Sequence, residues 1–398
     1  MKTPRLFRSS TLPIGIDLSA TGAKLLQLRQ TRHGYAVVSA ARIEASPNAD
    51  ASTPQERMAP VLEAIAKRWQ GTGMHGRRCV VGVGRSLVRT RSIRQPRMPL
   101  EEAERAVQYE APDRLGFEPD DPSEIAWIRA GEVRQSDQLR DEVIVIGAAT
   151  ATLEWVIDSL ADAGLRPIAT EPSFVSSARC FERAGRRESD DDISRVLIDV
   201  GMGSTDLTLL RGSSITFYKT LDVGGARMNS LVAERLGLDA DGAADLRTQR
   251  MQPSRRTMDL PRDERTERAV FEAIRPAIDE LAREVAMCLR YYAVSFTGAR
   301  PSYALVMGGE AAESGLVEQL QRGVGLPCRL ARPFDGVSIG DAFAGAADAA
   351  RAQWAAAVGL SLRGSGRAID RAPILIGADG TGADETGAAG ENDERRAA

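Results

Sequence analysis

Cysteine, histidine and aromatic residues are scarce in this chain, and it has no long apolar run. Its 398 residues include four cysteines, Cys79, Cys180, Cys288 and Cys328, far apart and without a CxxC pair. That spacing argues against metal ligation and reads as free thiols in a reducing compartment. The two histidines, His33 and His75, stand near no candidate nucleophile, which removes the ground for a Ser–His–Asp triad or a His-based zinc site. No stretch approaches roughly 18 consecutive apolar residues, so none reads as a membrane span. The N-terminal MKTPRLFRSST is basic but lacks the apolar centre of a signal peptide. The expected location is therefore the cytoplasm. Lys2, Arg5 and Arg8, beside Leu6 and Phe7, are compatible with contact to an anionic membrane surface or with a plain chain end. A net charge of −3 gives no electrostatic case for nucleic acid as a partner. With 43% apolar and 27% charged residues the composition is that of a globular protein, and the length calls for two or more domains.

What the chain does contain is a repeated local pattern. In RVLIDVGMGSTDLTLL, Arg195–Leu210, the run Val196, Leu197, Ile198 and Val200 reads as a buried strand with Asp199 near its end. Gly201, Gly203, Ser204 and Thr205 then turn the chain into a second strand. Glycines let backbone approach phosphate oxygens, amides in such a turn form an anion-binding concavity, and an adjacent carboxylate can hold hydrated magnesium. A Gly-rich turn that binds nothing fits the same letters. A second copy lies in LPIGIDLSATGAKLLQL, Leu12–Leu28, with Asp17 inside the strand, a turn through Ser19, Thr21 and Gly22, and Lys24 on the return. A third stretch, ALVMGG, breaks an apolar strand on Gly308 and Gly309 ahead of a helical pattern, where paired glycines allow a flat ring to lie on the backbone.

In order and spacing these stretches resemble the two phosphate loops and the adenosine loop of the actin-like ATPase superfamily. With LEEAERAVQYEAPDRLGFEPDD and LDVGGARMNSLVAERLGL added, the resemblance is to the PilM family of type IV pilus assembly, over roughly Leu12 to Gly364. It implies an α/β, actin-like ATPase fold: two related αβ halves around a nucleotide cleft, with a PilM/FtsA-type αβ subdomain inserted in the first half. The departures are Ser19, where relatives usually have Gly, Ala20, usually Ser, and Glu310, often a small residue. A side chain at Ser19 would crowd the phosphate approach.

Taken in order, residues 12–76 begin the first half, with three strands and a helix over Met58–Gln70. Residues 77–165 are expected as the inserted subdomain, and 166–192 as the return of the first half and the connecting segment. The second half is expected over 193–345, a single Ala-rich helix packing on the first half over 346–364, and a disordered Gly-, Ala- and acid-rich tail over 365–398. The basic run Arg89–Pro99 reads as a solvated loop or a partner surface. The polar stretch Thr248–Arg268 reads as a loop, and Val270–Phe296 as a long helix with Pro276 near its start.

The resemblance implies ATP and Mg²⁺ between the halves. Asp17 and Asp199 would hold the metal, and Ser19, Thr21, Gly22, Lys24, Gly201, Gly203, Ser204 and Thr205 would surround the phosphates. Gly308 and Gly309 would support the adenine. Gly224 and Gly225 would lie near nucleotide, although a simple helix entry reads equally well. In the superfamily a polar residue on the connecting segment orients the attacking water, and Glu171 occupies the matching place. Read alone, Glu171 is an exposed carboxylate near the start of a helix at Pro172. Phosphoryl transfer of this kind needs positioning rather than a covalent nucleophile, and weak ATPase activity at most is expected. The implied partner is the cytoplasmic N-terminal peptide of a PilN-like membrane protein. Other inner-membrane pilus components would follow, with peripheral membrane association through the partner. A small-molecule kinase, an FtsA-like protein and a type II secretion actin-like scaffold are the alternatives.

Overall fold

The computed structural model describes residues 10–46, 51–135, 138–182, 193–251, 264–296, 300–363, 365 and 376–377. The basic N-terminus, the segments 183–192 and 252–263, and most of the tail lie outside the described residues. The first half runs through β1 (Thr11–Ser19), β2 (Gly22–Thr31), β3 (Gly34–Glu44), α1 (Pro54–Arg68) and β4 (Arg78–Val83). Then come β5 (Arg89–Pro96), α2 (Leu100–Leu115), β6 (Ser123–Gln135), β7 (Gln138–Ala149), α3 (Thr150–Asp162), β8 (Arg166–Pro172) and α4 (Ser173–Phe181). The second half contains β9 (Ser194–Val200), β10 (Thr205–Arg211), β11 (Ser214–Leu221), α5 (Gly225–Leu236), α6 (Ala240–Met251) and α7 (Glu264–Ser295). It continues with β12 (Tyr303–Met307), α8 (Leu316–Val324) and β13 (Cys328–Leu330), before β14 (Val337–Ser338), α9 (Asp348–Ala352), α10 (Ala355–Ser361) and β15 (Ile376–Gly377).

Two sheets of one design organise these elements. The first has the order β14-β3-β2-β1-β4-β8-β15 and the second β11-β10-β9-β12-β13. In each, a three-stranded antiparallel meander is extended by two parallel strands, β4 and β8 in one and β12 and β13 in the other. Strand β1 therefore corresponds to β9, and the β1–β2 turn to the β9–β10 turn. Burial explains why these segments are strands. Ile14 and Ile16, like Val196, Leu197 and Ile198, are fully enclosed, as expected for near-continuous apolar strands covered on both faces. Helix α1 opens with a capping box between Thr53 and Glu56 and turns Met58, Val61, Leu62 and Ile65 inward.

Several boundaries differ from the sequence reading. Strand β4 was expected in the inserted subdomain, but it lies beside β1 in the large sheet. Helix α3 likewise joins α1, with Gln55 Nε2 donating to Thr152 Oγ1 at 2.8 Å and Trp69 Nε1 to Ala163 O at 2.7 Å. The insertion is thus the separate sheet β5-β7-β6 with α2. The basic run is strand β5 rather than a loop, and its arginines are engaged with protein, Arg94 Nη2 reaching Tyr291 OH of α7 at 2.6 Å. Arg89 lies 4.5 Å over the Phe117 ring, Arg94 Nε is 3.0 Å from Glu142, and Arg97 is 3.0 Å from Glu132.

Residues 337–338 already pair in parallel with β3, so the chain returns to the first sheet earlier than position 346. The expected single helix after Phe343 is shortened and divided: Gly345, at φ 74°, keeps the helix from starting before Asp348, and Gln353 and Trp354, at ψ of −4° and 5°, separate α9 from α10. Residues 376–377 of the tail pair antiparallel with β8, the open edge of the sheet. Helix α6 escaped the sequence reading because it buries only Ala243 and Arg247, leaving no apolar periodicity to detect.

Candidate functional site

In the first half, β1 and β2 are joined by Ala20 and Thr21, with Ser19 opposite Gly22. The Ser19 hydroxyl donates to Gly22 O at 2.8 Å, so it closes its own turn. Gly22 has φ 140°, and a Cβ there would fall 2.1 Å from Ile43 O, so this glycine serves the turn and the contact with β3. Asp17 lies directly across from Lys24, whose Nζ is 3.4 Å from Oδ2. The other carboxylate oxygen accepts from Ser173 Oγ at 3.1 Å. Ser173 opens α4, so the positive end of that helix also favours a carboxylate here.

The second half repeats the geometry with a different charge. Asp199 occupies the position of Asp17, but its cross-strand partner is Asp206. Asp206 accepts from Tyr218 OH at 2.9 Å and Thr220 Oγ1 at 2.8 Å. Burial pushes the Asp199 carboxyl up to about 7, with Asp206 and then Asp17 adding repulsion and Lys24 opposing it. Burial also raises Asp206, against the pull of Thr220, Tyr218 and Arg85, with Asp17 adding to the rise. Three aspartates from the two related hairpins therefore share one electrostatic site with Lys24. Among the described residues no group of three or more His, Cys, Asp and Glu side chains is close enough to hold a metal ion directly. Asp206 and Ser173 were missed at the sequence level. Asp206 could have been found from the hairpin itself, since a short turn after Asp199 places it in register.

The predicted glycines separate into two groups. Gly203 and Gly309 are exposed, and a Cβ on either would have no atom within 4 Å. The others are packed against protein. A Cβ on Gly224 would lie 2.7 Å from Gly201 O, one on Gly225 would lie 2.3 Å from the Glu310 carboxylate, and one on Gly308 would lie 2.4 Å from Val200 O and 2.5 Å from Asp199 Oδ1. The loop of residues 201–204 is itself docked on the start of α5: Gly225 N–H donates to Gly201 O at 2.9 Å and Ala226 N–H to Met202 O at 2.7 Å. The Gly201 N–H is spent on Ser204 O, and Thr205 Oγ1 donates to Val223 O at 2.7 Å. Thr205 is thus a structural tie of the loop. Gly203 and Gly309 are the exposed glycines of these turns, and Ser204 is half-buried between Gly203 and Thr205.

Glu171 requires a correction. It is fully buried, and its Oε1 accepts from Arg179 Nη1 and, at 2.8 Å, from Ser176 Oγ. Its Oε2 accepts from Arg179 Nη2 at 2.8 Å and from Arg363 Nη1. Burial works to raise this carboxyl, but the two guanidiniums and the serine hold it below the ordinary range. Both oxygens are engaged and neither meets solvent, so Glu171 neither orients a water nor stands exposed at a helix start. It clamps α4 and the end of α10 to β8. Ser173, two residues on, is the polar group of this segment that reaches the site.

The halves touch at a buried and at an exposed level. Inside, the rings of Phe174 on α4 and Tyr218 on β11 stack with centroids 3.8 Å apart. Outside, Arg85 after β4 pairs with Asp222 just beyond β11. In the second half, Arg247 of α6 is buried and joins Gly225 O, Asn229, Glu310 and Glu313. It fastens the turn after Gly308–Gly309 to the entry of α5. Glu310, the departure noted above, is the residue through which this is done.

The sequence model of the family described as "Type IV pilus assembly protein PilM" matches residues 15–365. A solved PilM-PilN type IV pilus biogenesis complex contains a chain that is 21% identical, with a TM-score of 0.72, covering 92% of this chain and 100% of that one. The ethanolamine utilization protein EutJ from Carboxydothermus hydrogenoformans is 14% identical with a TM-score of 0.49, over 89% of each chain. An archaeal actin homolog is 12% identical with a TM-score of 0.44, over 88% of this chain and 98% of its own. The fold is that of the actin-like ATPases. No helix among the described residues is long and apolar enough to cross a membrane.

Proposed function

The chain belongs to the PilM family of type IV pilus assembly proteins, and from that premise we propose that it is a cytoplasmic, nucleotide-dependent adaptor. It binds ATP with Mg²⁺ between its halves and docks the cytoplasmic N-terminal peptide of a PilN-like inner-membrane protein. Through that peptide it sits at the inner face of the membrane and meets other pilus components. The observation that carries the nucleotide reading is the meeting of Asp17, Asp199 and Asp206 with Lys24. Desolvated carboxylates that repel one another, with Asp199 pushed up to about 7, form a site that a divalent cation would neutralise.

The residues present fit such a ligand. A Cβ on Gly203 or Gly309 would meet no atom within 4 Å, so both glycines border open space. Asp17 and Asp199 would hold the metal through water, with Asp206 as a third acceptor. Gly203, Ser204, Thr21 and Lys24 would meet the phosphates, and Gly309 the base. Bound magnesium would neutralise phosphate charge, which is the chemistry that phosphoryl transfer requires. Lys24 and Ser173 set the orientation of Asp17, and Tyr218 and Thr220 that of Asp206. With no residue assigned to activate water, the reading favours a switch over a fast ATPase. The partner reading is supported by the likeness to the PilM chain of the PilM-PilN complex.

The test is titration of ATP–Mg²⁺ against the wild type and Asp199→Ala, followed by capture of the cytoplasmic peptide of a PilN-like protein with and without nucleotide. Binding by the wild type and loss of it in the variant is expected. Equal affinity of the two proteins would remove Asp199 from the metal-phosphate role, and no binding by either would leave a nucleotide-free scaffold.

A further inference from the structure

Arg85 stands in the turn that follows β4. The turn is fixed by Leu87 and Val88, whose N–H groups both donate to Gly84 O, at 2.9 and 3.1 Å. Parallel register sets Gly82 beside Asp17, so the turn begins at the sheet end that carries Asp17 and the β1–β2 turn. From there the guanidinium crosses to the second half and pairs with Asp222. Asp222 leads into Val223 and Gly224, the residues packed on the 201–204 loop. Arg85 is also close enough to Asp206 to favour its charged form. With Lys24, it is a second cation whose charge is felt at the acidic site.

The pair it makes is weakly held. Arg85 and Asp222 are 52% and 81% exposed, and ion pairs of that kind contribute little. A planar guanidinium matches phosphate oxygens better than a solvated single carboxylate, because it can donate two charge-assisted hydrogen bonds. We propose that Arg85 is a phosphate-binding residue of the cleft, held in reserve by Asp222 and transferred to the phosphate oxygens of a bound nucleotide. The assignment rests on the nucleotide reading above. Since the turn leads directly into β5, the residue that changes partner stands at the joint between the cleft and the inserted sheet.

The two partners then have opposite effects on affinity. Removing the guanidinium deletes a ligand to phosphate, whereas removing the Asp222 charge frees Arg85 for it. The experiment is calorimetric titration of ATP–Mg²⁺ into the full chain for the wild type, Arg85→Gln, Asp222→Asn and the double variant, with thermal melts as a check on folding. Both side chains are exposed, so the melts should superimpose. Arg85→Gln should weaken binding about tenfold, Asp222→Asn should tighten it severalfold, and the double variant should match Arg85→Gln. If both single variants weaken binding, or neither changes it, while the wild type binds, the pair is a structural latch and the assignment falls. If the wild type itself fails to bind, the nucleotide reading falls with it.

Discussion

Replacing Asp199 by asparagine should make the ligand-free protein more stable, and by an amount that depends on pH. The amide keeps the volume and removes the ionisable group. Asp199 is pushed from 3.8 up to about 7 by burial and by Asp206 and Asp17. A carboxyl whose folded value lies above its unfolded one is protonated more readily in the folded state. Stability is therefore lost as pH rises from the unfolded value through the folded one. At pH 8 the penalty amounts to about 4 kcal/mol, and at pH 5 to about 1.7 kcal/mol. Asp206 shares the repulsion, so these are upper bounds, but the sign and the growth with pH hold. Urea denaturation of wild type and Asp199→Asn at pH 5 and pH 8 reads the difference. Saturating ATP–Mg²⁺ should reverse the ranking, because the variant lacks the Asp199 charge that would hold the metal beside Asp17. A variant less stable than wild type at pH 8, or a gain that does not change with pH, would refute the electrostatic argument.

Two further outcomes follow from the packing. Gly309→Ala should leave the melting temperature unchanged yet weaken nucleotide binding, whereas Gly308→Ala, at φ 97° and with Val200 O in the way, should destabilise the protein outright. Unchanged nucleotide binding by a folded Gly309→Ala variant would show that the open side of Gly309 is not a ligand space. Glu171→Gln should destabilise by about 3–5 kcal/mol by stranding Arg179 and Arg363 without their buried counter-charge, measured by chemical denaturation. A well-folded Gln variant that lost only nucleotide binding would return Glu171 to the cleft. In the wild type the stabilisation by Glu171 is present above its ordinary value of 4.5 and disappears as pH falls through the lowered value of the folded protein.

The sheet framework was legible because strand periodicity and tight turns are local. Asp17 and Asp199 each stood in an apolar run before a small-residue turn, and both runs form central strands of matching sheets. What the letters did not reveal was long-range. Whether Glu171 faces the cleft or the core depends on Arg363, distant in sequence, and the letters around Glu171 cannot report that. Gly224 and Gly225 read equally as nucleotide neighbours and as a helix entry; they form the entry of α5, and the space they leave is filled by Gly201 O and Glu310. Helix α6 lacked an apolar stripe because its anchor is Arg247, a charged residue buried by its partners. The inserted subdomain was drawn too wide for a similar reason. The pairing of β4 with β1 is a parallel contact across α1, and nothing in the sequence of β4 announces its neighbour.

The two hairpins differ in one letter that decides how the site behaves. Across from Asp17 stands Lys24, and across from Asp199 stands Asp206. Opposite charges in direct cross-strand register stabilise a sheet, and like charges weaken it, so the first half carries its acid neutralised and the second carries its acids in conflict. Tyr218 sits between the two arrangements. Its hydroxyl supports Asp206, while its ring stacks on Phe174, the neighbour of the serine that supports Asp17. A shift of α4 against β11 would therefore disturb the donors of both aspartates together. A ligand that relieved the conflict at Asp199 and Asp206 would bear, through Tyr218, on an aromatic contact between the halves, and it would shift the balance between two arrangements of the halves only so far as it bound one better than the other.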